Sequence, residues 1–131
     1  FVFTGEGFDL RPTDNIEVWR DMSRDEDIIH GTRADAIYGL AQLMDRAARA
    51  APEVRFPVLL LYGRRDDFVR QWMIDWLASH LPENQFELVR YEDGYHWLLR
   101  DLNPDKVHST ILEWMAERGV AMETRPARRT D

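Results

Sequence analysis

The 131-residue chain contains no cysteine, which excludes disulfides, thiolate metal sites and cysteine nucleophiles together. It has no apolar run approaching the roughly 20 residues a membrane span needs. Positive charge is in short supply: 17 Lys and Arg stand against 24 Asp and Glu, a formal charge of -7. A nucleic-acid surface shows clustered positive charge, so the balance argues against that class of partner and for plain solubility. Internal repeats and low-complexity tracts are absent. The opening residues, Phe1-Val2-Phe3-Thr4-Gly5-Glu6-Gly7, have no Met start, no basic region and no long apolar segment. They do not read as a signal peptide but as the interior of a longer chain. What is present is a one-domain length with 44% hydrophobic residues, enough to supply a core.

Residues 1–31 are polar and irregular, with turn signals at Pro12-Thr13-Asp14-Asn15. Asn15 is placed to cap a short helix carrying Ile16, Val18, Trp19 and Met22. The charged run from Arg20 to Asp27 reads as a solvated loop. From about Arg33 to Ala50, Ala36, Ile37, Leu40, Leu43, Met44 and Ala47 recur at the spacing of an amphipathic helix. Pro52 ends it, because proline cannot continue the hydrogen-bond ladder. Val58 to Tyr62 is a continuous apolar run between Pro57 and Gly63, as suits a strand covered on both faces. A helix is expected from about Val69 to His80, carrying Trp72, Met73, Trp76 and Leu77. A second strand runs from Phe86 to near Tyr91. A last helix spans Asp105 to Arg118, with Val107, Ile111, Leu112, Trp114 and Met115 inward. Strand, helix, strand, helix implies an α/β architecture with a right-handed crossover between parallel strands. Two strands alone make a poor α/β core. The tail from Gly119 to Asp131 is expected to be disordered.

Asp66 lies just past the first apolar run and His96 just past the second. The C-terminal ends of parallel strands share one edge, where ligands and catalytic groups gather. The two side chains are therefore candidates for an orienting acid and a general base. Without context, a histidine between Tyr95 and Trp97 is more often a packed structural residue. Asp67 competes with Asp66, but adjacent side chains in a turn point differently, so one of them should reach His96. Arg64 and Arg65 read as surface charges, and Arg100 with Asp101 as a structural ion pair or helix cap. His30, His80 and His108 are too scattered for a metal site.

At this point the residues resemble a known family. Leu60-Leu61-Tyr62-Gly63-Arg64-Arg65-Asp66-Asp67-Phe68-Val69 resembles the Gly-x-x-Asp-x-Val turn after the penultimate strand of α/β-hydrolases. Asp93-Gly94-Tyr95-His96-Trp97-Leu98-Leu99-Arg100-Asp101 is similar to the histidine turn of the monoacylglycerol lipase and lysophospholipase branch, of serine aminopeptidase S33 type. Pro12-Thr13-Asp14-Asn15-Ile16 and Arg33-Ala34-Asp35-Ala36-Ile37-Tyr38-Gly39-Leu40 are similar to the cap region of bacterial members. The likeness covers roughly residues 10–118. It implies a helical cap segment over 1–52 and the C-terminal part of an α/β-hydrolase fold over 53–118, with the last two parallel strands and their flanking helices.

The resemblance also implies roles. Asp66 matches the triad acid and His96 its base; no metal or cofactor is required. The family's nucleophile sits in a Gly-x-Ser-x-Gly elbow. Ser23, Ser79 and Ser109 have no such flanks, and the oxyanion-hole loop is absent as well. Both are expected upstream. Trp19, Met22, Tyr38, Leu40 and Met44 have two readings: core residues packing the helices together, or walls of an apolar tunnel for an acyl chain, a wall that Trp97 and Leu98 would join.

Two functions follow. The first is the C-terminal portion of a serine ester hydrolase, lysophospholipase or monoacylglycerol lipase-like, acting on a lipid or small ester. The second is a non-catalytic hydrolase-like module that binds an apolar ligand or a partner chain. Expected partners are the upstream half of the same protein, a membrane surface touched peripherally by the cap, and further copies meeting at an exposed sheet edge. No nucleic acid is expected, and a cytoplasmic location is.

Overall fold

A computed structural model describes residues 2–3, 10–29 and 31–119. Strand β1 (Val2–Phe3) pairs antiparallel with β2 (Thr32–Arg33), a contact that the irregular look of residues 1–31 did not predict. Between them lies helix α1 (Ile16–Arg24). Its cap is as expected: the Asn15 side-chain oxygen accepts the Val18 N–H at 3.3 Å, satisfying one of the helix's orphan donors. Glu17 in the first turn and Arg24 in the last complement the helix dipole. The helix takes in Arg20 to Arg24, so only Asp25 to Asp27 of the charged run lie outside it.

Helix α2 (Ala34–Ala50) is rich in alanine and runs into a 3-10 turn, Ala51–Glu53, that contains Pro52. Strands β3 (Val58–Gly63) and β4 (Phe86–Tyr91) then pair in parallel, from Val58 opposite Phe86 to Gly63 opposite Tyr91. Helix α3 (Gln71–His80) makes the crossover, and α4 (Asp105–Glu117) follows β4. The α/β class and the parallel pair are as the sequence pattern predicts.

The buried set is small. Among the described residues it holds the apolar side chains of Ala51, Tyr62, Ile74, Leu81, Tyr95 and Val107, the polar ones of Thr13 and Asp101, and Pro12, Gly63 and Gly94. Helices α1 and α2 bury no residue at all. This corrects the reading of Trp19, Tyr38, Leu40 and Met44 as packed core: all four are exposed. Leu112 on α4, expected inward, is also exposed, as are Trp72, Met73 and Trp76 on α3. The cause is geometric. A two-stranded sheet offers too little surface to cover the apolar faces of four helices. No described helix is long and apolar enough to cross a membrane. The tail beyond Gly119, and His30, lie outside the described residues.

Candidate active site

The site is built where two strands end. After β3 the chain turns at Gly63, and after β4 it turns at Gly94. These turns are pressed together: a Cβ on Gly63 would lie 2.5 Å from the Gly94 carbonyl carbon and from the Tyr95 carbonyl oxygen. Only glycine allows so close an approach of two backbones. Two further bonds lock it, from the Arg64 N–H to the Tyr91 carbonyl and from the Arg65 N–H to the Gly94 carbonyl, each 2.9 Å.

The Asp66 carboxylate faces both ways in this corner. Its Oδ1 accepts the Phe68 N–H at 2.7 Å and the Val69 N–H at 2.9 Å. Its Oδ2 accepts a hydrogen bond from His96 Nδ1 at 2.8 Å. A carboxylate can only accept, so the proton sits on Nδ1 and Nε2 is left as the basic nitrogen. The Asp66 side chain is 6% exposed and that of His96 37%, so the acid is sheltered while the base faces outward. Phe68 lies against the imidazole with ring centroids 4.8 Å apart.

Below the acid, the Tyr62 hydroxyl donates to the Val69 carbonyl at 3.0 Å. Burial pushes the Tyr62 phenol up from its ordinary value, and the charge of Asp66 adds to that. Asp67 points elsewhere and accepts the Arg11 N–H at 3.2 Å. Arg64 and Arg65 pair with Glu92 and Asp93 on the surface. Asp101 and Arg100 make no ion pair, which corrects that half of the expectation, while Asp101 does stand at the C-cap of the 3-10 turn Leu98–Arg100. The Asp101 carboxylate instead accepts from Thr13 and from the Tyr95 N–H, bonds to groups that carry no positive charge.

A hollow of about 440 Å³ opens beside His96, lined by Met22, Leu61, His96, Trp97, Leu98, Leu99, Arg100 and Val107. It brings Trp97 and Leu98 together with the imidazole. Trp19, Tyr38 and Met44 are not among its walls; Met44 lines a separate apolar groove between α2 and α3. Among the described residues no group of three or more His, Cys, Asp or Glu side chains could hold a metal ion. His80 stacks on Trp76 at 4.0 Å and bonds its carbonyl.

A profile of the serine aminopeptidase S33 family matches residues 10–103, a span that takes in both turns. The chain belongs to that family. Among solved structures it is similar to the crystal structure of Paleococcus ferrophilus monoacylglycerol lipase, with a TM-score of 0.76 at 20% identity. That match covers 89% of this chain and 46% of the other, so this S33-family chain spans less than half the length of the lipase it resembles. The likeness establishes the α/β-hydrolase fold. Comparison with curated protein sequences finds no match.

Proposed function

We propose that the chain supplies the acid and the base of a serine ester hydrolase, lysophospholipase or monoacylglycerol lipase-like. Asp66 is the orienting acid and His96 the general base, and the nucleophilic serine comes from polypeptide N-terminal to these residues. One observation carries the reading: the 2.8 Å contact between His96 Nδ1 and a sheltered Asp66 carboxylate. A module that only binds has no use for an imidazole held this way. Family membership supports hydrolysis, and the monoacylglycerol lipase neighbour motivates an ester of a lipid as substrate.

In this mechanism Asp66 fixes the tautomer that leaves Nε2 unprotonated. His96 Nε2 takes the serine proton as the hydroxyl attacks the ester carbonyl. It then gives that proton to the leaving alcohol, which departs from an acyl-serine. In the second half His96 draws a proton from water as it attacks the acyl group, and hands that proton to the serine oxygen as the acyl–serine bond breaks and the acid is released. Trp97 and Leu98 contribute apolar wall next to the imidazole, and residues 1–52 act as the cap over 53–118.

The test compares this chain with the polypeptide extended upstream, using monoacylglycerol and lysophospholipid substrates. The expected result is no turnover by the chain alone and turnover once a Gly-x-Ser-x-Gly segment is supplied. A gene with no such segment upstream of Phe1 contradicts the proposal.

A further inference from the structure

The His96 turn is held from a part of the chain that the triad does not use. Thr13 is fully buried although it lies in a polar stretch, and Asp101 is buried beside it. The Thr13 hydroxyl accepts the Asn15 N–H at 3.1 Å. A hydroxyl has one proton to give, and the shorter of its two acceptors is Asp101 Oδ1 at 2.7 Å, against 3.3 Å for the Arg100 carbonyl. The other oxygen, Asp101 Oδ2, accepts the Tyr95 N–H at 2.9 Å. On the far side of the histidine, the Trp97 N–H donates to the Pro12 carbonyl at 2.9 Å. The peptide groups before Tyr95 and after His96 are thus both tied to Pro12 and Thr13, one through Asp101 and one directly. The same segment reaches the acid turn, through the Arg11 N–H on Asp67.

The geometry points to Asp101 and Thr13 as positioning residues for His96. Asp101 is the acceptor that fixes the Tyr95 peptide, and Thr13 is the donor that fixes Asp101. Because Asn15 caps α1, the placement of the base is thereby coupled to the first helix of the cap segment. This rests on the proposed role of His96, but the hydrogen-bond bracket can be tested without it.

A buried carboxylate with two neutral donors loses both when truncated to alanine, and the turn it holds is then free to shift. Asparagine keeps one acceptor for the Tyr95 N–H and can turn its amide nitrogen toward the Thr13 oxygen. Asp101→Asn is therefore the conservative rescue, and Asp101→Ala and Thr13→Val are the disruptive variants.

The experiment has two readouts. The first is the downfield NMR resonance of the His96 Nδ1–H on this chain, assigned by its loss in Asp66→Asn. It should be lost or broadened in Asp101→Ala, weakened in Thr13→Val, and kept in Asp101→Asn. The second is ester hydrolysis by the upstream-extended polypeptide. There Asp101→Ala should lower kcat by about 10²-fold with KM nearly unchanged, the loss typical of a base displaced by about 1 Å. Where Asp101→Ala fails to fold, Thr13→Val decides alone, with a smaller fall in kcat and the same unchanged KM. If both disruptive variants fold and leave resonance and kcat at wild-type values, the positioning role is overturned while the Asp66–His96 assignment stands. If Asp66→Asn leaves kcat unchanged, the proposed function fails instead.

Discussion

Gly63 and Gly94 lie in backbone contact, and Gly94 leaves no room for a side chain on Gly63. A Cβ on Gly94 would stand 3.2 Å from the Gly63 Cα, and one on Gly63 would run into the Gly94 carbonyl group. This contact brings the acid turn and the histidine turn together at the backbone.

Gly63→Ala should therefore cost about 1–3 kcal/mol, because the opposing atoms are backbone and cannot move aside as a flexible side chain would. Gly39 is the control. It sits inside α2 with nothing within 4 Å of a Cβ, so Gly39→Ala should stabilise by about 0.5–1 kcal/mol through helix propensity. Urea unfolding of the two variants checks both signs.

Asp66→Asn and Asp67→Asn should differ sharply in the upstream-extended polypeptide. The first removes the acceptor that fixes the histidine tautomer and should lower kcat by about 10⁴-fold. The second disturbs only a bond to the Arg11 N–H and should stay close to wild type. Equal effects in steady-state hydrolysis would undo the choice of acid.

Tyr62 gives a pH signature of stability. Its folded-state phenol is raised above the ordinary value of 10.0 by burial and by Asp66. The unfolded chain then releases the phenolic proton first, so this contribution is complete below about pH 10 and is lost as pH rises through the folded-state value. Tyr62→Phe should flatten that alkaline fall. At neutral pH it should cost about 0.5–1.5 kcal/mol for the lost bond to the Val69 carbonyl. Denaturant melts from pH 8 to 11 separate the two effects.

How far the sequence spoke depended on range. The apolar runs predicted β3 and β4 to within a residue, and the two turns pointed to Asp66 and His96, because strand ends and turn residues are local signals. Helix α3 starts at Gln71 rather than Val69, and the Phe68 and Val69 N–H groups are bonded to the Asp66 carboxylate in the turn before it. Thr13 and Asp101 gave no such signal. Their bond joins residues 88 apart, and nothing in a polar stretch marks one threonine for complete burial. The two-residue pairing of β1 with β2 was likewise too short to show a pattern. The apolar spacing of α2 marks it as a helix, but periodicity names a face without naming what covers it.

Among the described residues β3 and β4 pair only with each other, so each keeps an open edge. Unpaired edges invite association, and the exposed Trp72, Trp76 and Met44 add apolar surface. The isolated chain should show a scattering mass that grows with concentration. A monomer at every concentration examined by light scattering would speak against this.

The decisive measurement is ester hydrolysis by the upstream-extended polypeptide carrying His96→Ala. With His96 as the base, kcat should fall by at least about 10⁴-fold while the protein stays folded. Hydrolysis at the wild-type rate would show that the imidazole bonded to Asp66 is a structural histidine.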